Sequence, residues 1–115
     1  MRYLFLVGCL FFNTQSAFAN NEAYFNRVTE AIGRAENSVK YPYGVKSINT
    51  HGNKALARKY CLNSVRNNWK RWEVAGNPGN FIDFMSRRYC PVNAPDDPNG
   101  LNVNWSKNVR YFLNG

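Results

Sequence analysis

Apolar residues recur at helical spacing in four separate stretches of the chain, divided by polar segments rich in Gly and Pro. Tyr24, Val28, Ala31, Ile32 and Ala35 give the first stretch one apolar side, with Glu22, Asn26, Arg27, Glu30 and Arg34 opposite; this predicts a helix over about 21–35. Gly33 weakens that helix near its end and permits close approach of another backbone or a ligand. Leu56, Tyr60, Cys61, Val65, Trp69 and Trp72 predict a second, longest helix over about 54–72, whose other side carries Lys54, Arg58, Lys59, Arg66, Lys70 and Arg71. The Trp pair reads first as core packing, and the basic side first as solvated surface.

Gly76-Asn77-Pro78-Gly79 then breaks the chain. Asn80 is the expected cap of a third helix that buries Phe81, Ile82, Phe84, Met85 and Tyr89 and stops at Cys90-Pro91. After a turn-rich link from Pro95 to Gly100, Asn102 is the expected cap of a last helix carrying Val103, Val109, Phe112 and Leu113, with Trp105 near its start. Residues 37–53 read as a loop, with a short extended piece at 44–48 and a turn at Thr50-His51-Gly52-Asn53. The expectation is a mainly α domain with one core and little or no sheet.

The beginning of the chain changes what counts as that domain. A positive Met1-Arg2, an apolar run from Tyr3 to Phe12 and an Ala17-Phe18-Ala19 signal before Asn20 resemble a secretory leader cleaved after Ala19. Leu6-Val7-Gly8-Cys9 resembles a lipoprotein box, but the apolar stretch before Cys9 is very short and another follows it. Residues 20–115 are then a single domain, expected in the periplasm or outside the cell, with no transmembrane segment after leader removal. Only Arg2 is lost from the charged set, so 14 Lys and Arg stand against 7 Asp and Glu. An exported domain this basic is drawn to polyanions such as cell-wall glycan with its peptides, teichoic acid or lipid head groups. Nucleic acid is not expected as a partner: the Arg- and Lys-rich second helix carries no recognised motif, and export is against it.

Export also colours the cysteines. Cys9 leaves with the leader, and Cys61 with Cys90 remains as an even pair in an oxidising compartment. A disulfide between them is the expectation; it would close a loop of about 30 residues and stabilise by roughly 3–4 kcal/mol. Metal binding is not expected, since two Cys and the single His51 make a poor ligand set without close spacing. No cofactor is called for.

Glu36 stands where the first apolar helix ends, ahead of the Tyr41-Pro42-Tyr43-Gly44 turn. The negative end of a helix and apolar neighbours both disfavour ionisation, so its pKa should rise. A Glu that keeps its proton near neutrality can deliver it to a leaving oxygen, as a glycosidase general acid does. The loop that follows is aromatic and polar at once, which suits a sugar-binding wall; Ser38, Tyr41, Tyr43 and His51 are the candidates for substrate contact.

The block Ala31-Ile32 to Ala35-Glu36-Asn37-Ser38, followed by Tyr43-Gly44-Val45-Lys46-Ser47-Ile48, resembles the core of lysozyme-like lytic transglycosylases. The stretch Phe81 to Pro91, with Leu101 to Val109, is similar to the Arg-Tyr-x-Pro element and closing helix of small muramidase-like proteins. The Gly-Leu-Met-Gln type segment common in the transglycosylases is replaced by Gly44-Val45-Lys46-Ser47-Ile48. The resemblance implies a small lysozyme-like fold and cleavage of peptidoglycan glycan strands. It further implies Glu36 as acid and base, Ser38 as the small polar residue beside it and Tyr43 as aromatic lining.

A glycosidase of the usual kind needs two carboxylates, but no other acid sits in a motif like that of Glu36. Glu30, six residues upstream, falls on another helical face, and Asp96 and Asp97 read as turn residues beside prolines. A single-carboxylate mechanism is the better match. The alternative is a non-catalytic cationic module that binds envelope polymer or acts as an antimicrobial, with Glu36 only structural.

Overall fold

The computed structural model describes residues 21–46 and 48–115; the leader expected at 1–19 lies outside the described residues. Helix α1 covers residues 21–36, α2 runs Lys54–Val74, α3 Phe81–Tyr89 and α4 Trp105–Asn114, with short 3-10 turns at Pro42–Gly44 and Leu101–Asn104. Among the described residues there is no strand, and no helix is long and apolar enough to cross a membrane.

α2 and α3 start at side-chain caps. The Asn53 side chain accepts the Leu56 N–H at 3.0 Å, and the Asn80 side chain accepts those of Ile82 and Asp83, so both caps satisfy amides that the first turn leaves unpaired. Cys90, which precedes Pro91, is forced off helical geometry to φ −143°, and α3 ends there. α4 begins at Trp105 rather than after Asn102: the Asn102 amide bonds the Asp97 carboxylate, and Leu101–Asn104 winds as a 3-10 turn. The extended piece expected at 44–48 is likewise no strand, since Gly44 belongs to the 3-10 turn and Val45 and Lys46 follow without regular pairing.

The core gathers Phe25, Val28, Ala31 and Ile32 of α1, Ala57, Cys61 and Val65 of α2, Phe81, Ile82 and Met85 of α3, and Trp105 and Val109 of α4. Each large aliphatic side chain fully buried there contributes about 1.5–3 kcal/mol. At one end Trp69 stands among Tyr24, Phe25, Trp72 and Phe81, with ring centroids 4.8–5.6 Å from its own. The tryptophans of α2 are therefore packing residues.

α1 and α2 are also stapled by charge. Arg66 meets Glu22 through contacts of 2.6–3.2 Å, and Arg58 meets Glu30 at 2.7 Å and Asn26 at 3.0 Å. The basic side of α2 is thus partly a seam. A third pair, Arg110 with Asp83, ties α4 to α3.

The expected disulfide is absent: Cys61 and Cys90 are both free thiols. Cys61 points from the middle of α2 into the core, where the Tyr89 hydroxyl is its hydrogen-bonding neighbour, while Cys90 caps α3 and faces the cleft described below. Burial pushes both thiols up to about 12, so neither is a ready thiolate.

Candidate functional site

Glu36 is the last residue of α1. Asn37 turns left-handed (φ 42°) and its N–H closes on the Gly33 carbonyl at 3.1 Å, which ends the helix with Glu36 directed inward. The Trp105 indole N–H donates to Glu36 Oε1 at 2.8 Å. Because Trp105 is both a buried core residue and the first residue of α4, the fold itself sets this donor against the end of α1. One carboxyl oxygen is occupied by an N–H, which leaves Oε2 as the oxygen available to carry a proton.

Gly44 lies across the face of the same carboxyl group. A Cβ at Gly44 would stand 2.8 Å from Glu36 Cδ and 3.0–3.1 Å from both oxygens, and its backbone has φ +68°, so this position needs glycine twice over. The loop that carries it is fixed from two sides. The Tyr43 ring packs on Gly33, where an added Cβ would run into the ring edge, and the Tyr89 hydroxyl donates to the Tyr43 carbonyl. The approach foreseen at Gly33 is made by an aromatic side chain.

Burial is the main influence on Glu36 and raises its pKa; the Trp105 hydrogen bond and the charge of Lys46 oppose it and only reduce the rise. Lys46 is engaged elsewhere, with its Nζ 3.0 Å from Asp96 Oδ2 on a half-exposed surface. That pairing holds the Asp96 carboxyl below its usual range. Asp97 is buried and accepts the backbone N–H groups of Asn93 and Asn102, a loop-holding role. Glu30 is engaged by Arg58 in the α1–α2 seam.

Glu36, Lys46 and Asp96 open on a cleft of about 360 Å³. Glu36, Gly44 and Val45 line it together with Tyr60, Ser64 and Asn68, a ladder at every fourth residue of α2. The rest of the lining is Lys46, Asp96 and Asn102 with Arg88, Tyr89, Cys90 and Pro91. A carboxyl with a raised pKa in a cleft that also offers hydroxyls, amides and two cations suits proton transfer to a polar ligand. Among the described residues no group of three or more His, Cys, Asp or Glu forms a metal site.

Of the residues expected to act, Glu36 alone lines this cleft. The Ser38 hydroxyl accepts the Tyr41 N–H at 2.9 Å and shapes the turn, and with Tyr43 it borders a separate depression behind the loop. Tyr41 is exposed and lies under Lys40 and Lys46. His51 sits exposed in the turn before α2, its N–H on Asn49 Oδ1. Of the loop expected as a sugar-binding wall, only Gly44 to Lys46 line the cleft among the described residues.

Compared with family models, with curated proteins and with solved structures, the chain finds no match in any of the three. The site has to be read from its own chemistry. The residues that sequence reasoning passed over are Trp105, Gly44, the Tyr60-Ser64-Asn68 ladder and Arg88. The ladder had a signal, three polar residues four apart on α2, whereas the contact between Trp105 and Glu36 spans 69 positions and left none.

Proposed function

We propose that this protein is an exported, lysozyme-like enzyme that cleaves the glycosidic bond between N-acetylmuramic acid and N-acetylglucosamine in peptidoglycan, with Glu36 as its acid and base. The observation that carries the reading is the half-buried Glu36 carboxyl, raised in pKa by burial and held by the Trp105 N–H in a polar cleft. A carboxyl in that state is protonated further toward neutrality than an ordinary Glu, as a general acid must be.

Oε2 of Glu36 then gives its proton to the bridging oxygen, while the substrate's own acetamido group steadies the oxocarbenium-like carbon. The carboxylate so formed takes a proton from the 6-hydroxyl of the same sugar, and that oxygen closes a 1,6-anhydro ring. The bond to the leaving sugar breaks, the ring bond forms, and Glu36 ends protonated as it began. Asp96 is the other acid in the cleft, but a carboxylate lowered by Lys46 is a weak base. This favours the single-carboxylate route over hydrolysis by a paired acid.

Digestion of purified peptidoglycan by wild type and Glu36→Gln, with mass spectrometry of the fragments, tests the reading. Anhydromuramyl products from wild type alone are the expected result. Reducing-end products would assign a hydrolase that recruits Asp96. Release of nothing by wild type, with equal wall binding by both proteins, would replace the enzyme by a binding module.

A further inference from the structure

The cleft contains two cations, and they are not equivalent. Lys46 is spoken for by Asp96 at 3.0 Å and lies within the field of Glu36. Arg88, exposed on the last turn of α3, lines the same cleft and makes no ion pair or side-chain hydrogen bond among the described residues. The neutral side chains of Tyr60, Ser64 and Asn68 line the same cleft. A ligand made only of sugar rings would be served by that ladder and would leave the guanidinium without a partner.

We propose that Arg88 receives a carboxylate appended to the glycan, so that the cleft selects strands bearing an anionic substituent over bare amino-sugar chains. This rests on the glycan-cleaving reading above. A guanidinium presents a planar fork of donors that matches a carboxylate with two parallel hydrogen bonds, and such charge-assisted pairs exceed neutral ones. In peptidoglycan the carboxylate has two sources: the lactyl group of an unsubstituted muramic acid, or the stem peptide once the lactyl group is amidated. The same chemistry serves both.

Arg87 supplies the control. It is the neighbouring residue, also exposed, also in the last turn of α3 and equally placed to favour the helix terminus, but it does not line the cleft. A general attraction of the basic surface for anions would depend on either arginine alike.

Three disaccharides lacking the scissile bond, and so not consumed, test the inference by NMR titration of the whole protein. They are N-acetylglucosamine linked to itself, to muramic acid with its free lactyl carboxylate, and to muramic acid carrying a tetrapeptide. The carboxylate-bearing ligands should bind about tenfold tighter than the neutral one. Arg88→Met should remove that advantage, Arg88→Lys should retain part of it, and Arg87→Met should leave it intact. An advantage already present with the lactyl disaccharide assigns that carboxylate, and one confined to the peptide-bearing ligand assigns the stem. Equal affinity for all three ligands, or an equal loss from Arg87→Met and Arg88→Met, overturns the role of Arg88 while leaving glycan cleavage standing. Binding of none of them overturns the glycan reading as well.

Discussion

α1 carries three glutamates in two opposite situations. Glu22 and Glu30, eight residues apart, face Arg66 and Arg58, eight residues apart on the antiparallel α2. Their charge is answered by charge at a solvated seam, and the guanidinium hydrogen bonds hold Glu22 below its ordinary value. Glu36 is answered only by a neutral indole N–H, with its nearest cation already paired to Asp96, and burial drives it the other way. The first arrangement stabilises a fold. The second does not: ionising Glu36 works against the fold, which is what the proposed general acid requires.

The largest expected effect comes from removing the isolated acid. Glu36→Gln should lower peptidoglycan cleavage by roughly 10³-fold, within the range of a lost general acid. It should also melt no lower than wild type at neutral pH. For an acid whose folded pKa is raised above 4.5, the unfolded chain gives up its proton first, so wild-type stability falls as pH rises through that window. The benefit of Gln should therefore be present at pH 7 and vanish below about pH 4. A strong loss of melting temperature at pH 7 would place Glu36 with the structural glutamates.

Gly44→Ala should come next, at about 2–4 kcal/mol, from left-handed strain together with a Cβ driven into the Glu36 carboxyl. Thermal melting of this variant separates the two causes when it is combined with Glu36→Ala. The double variant should recover the part due to the clash and retain the strain.

What the sequence disclosed and what it hid divide between signals carried by residue type and contacts that depend on which partner a side chain finds. The cap at Asn80, the stop at Cys90-Pro91 and the end of α1 at Glu36 are decided within a few residues, and all were legible. The start of α4 was not, because Asp97 claims the Asn102 amide and draws Leu101–Asn104 into a 3-10 turn. Nor could cysteine parity reveal that Cys61 turns toward the Tyr89 hydroxyl while Cys90 turns to the cleft. The seam did leave a trace in the equal spacing of Glu22–Glu30 and Arg58–Arg66. Reading the basic side of α2 by itself concealed it.

Trp105→Phe sharpens the contrast at a smaller cost. Phe keeps most of the buried ring but leaves a gap and no N–H, for a loss of about 1–2 kcal/mol. The hydrogen bond that restrains Glu36 is gone, so its carboxyl moves further up. The alkaline limb of the cleavage profile should shift to higher pH than in wild type. An unmoved limb would mean that the indole positions Glu36 without tuning it.

The smallest effect belongs to the seam, and its sign is the decisive part. Glu22→Gln should cost about 0.5–1 kcal/mol at pH 7, since the Arg66 pair is partly exposed and screened by water and salt. Glu22 has its folded pKa below 4.5, so the stability it supplies is present above that value and is lost as pH falls through the folded pKa. The difference between Glu22→Gln and wild type should then shrink on acidification and in high salt. Over the same descent the penalty of ionised Glu36 is relieved. Lowering the pH thus weakens one end of α1 and eases the other, and chemical denaturation of the two variants between pH 3 and 7 should give slopes of opposite sign. Parallel slopes would show that the two ends of the helix hold their carboxylates in the same way.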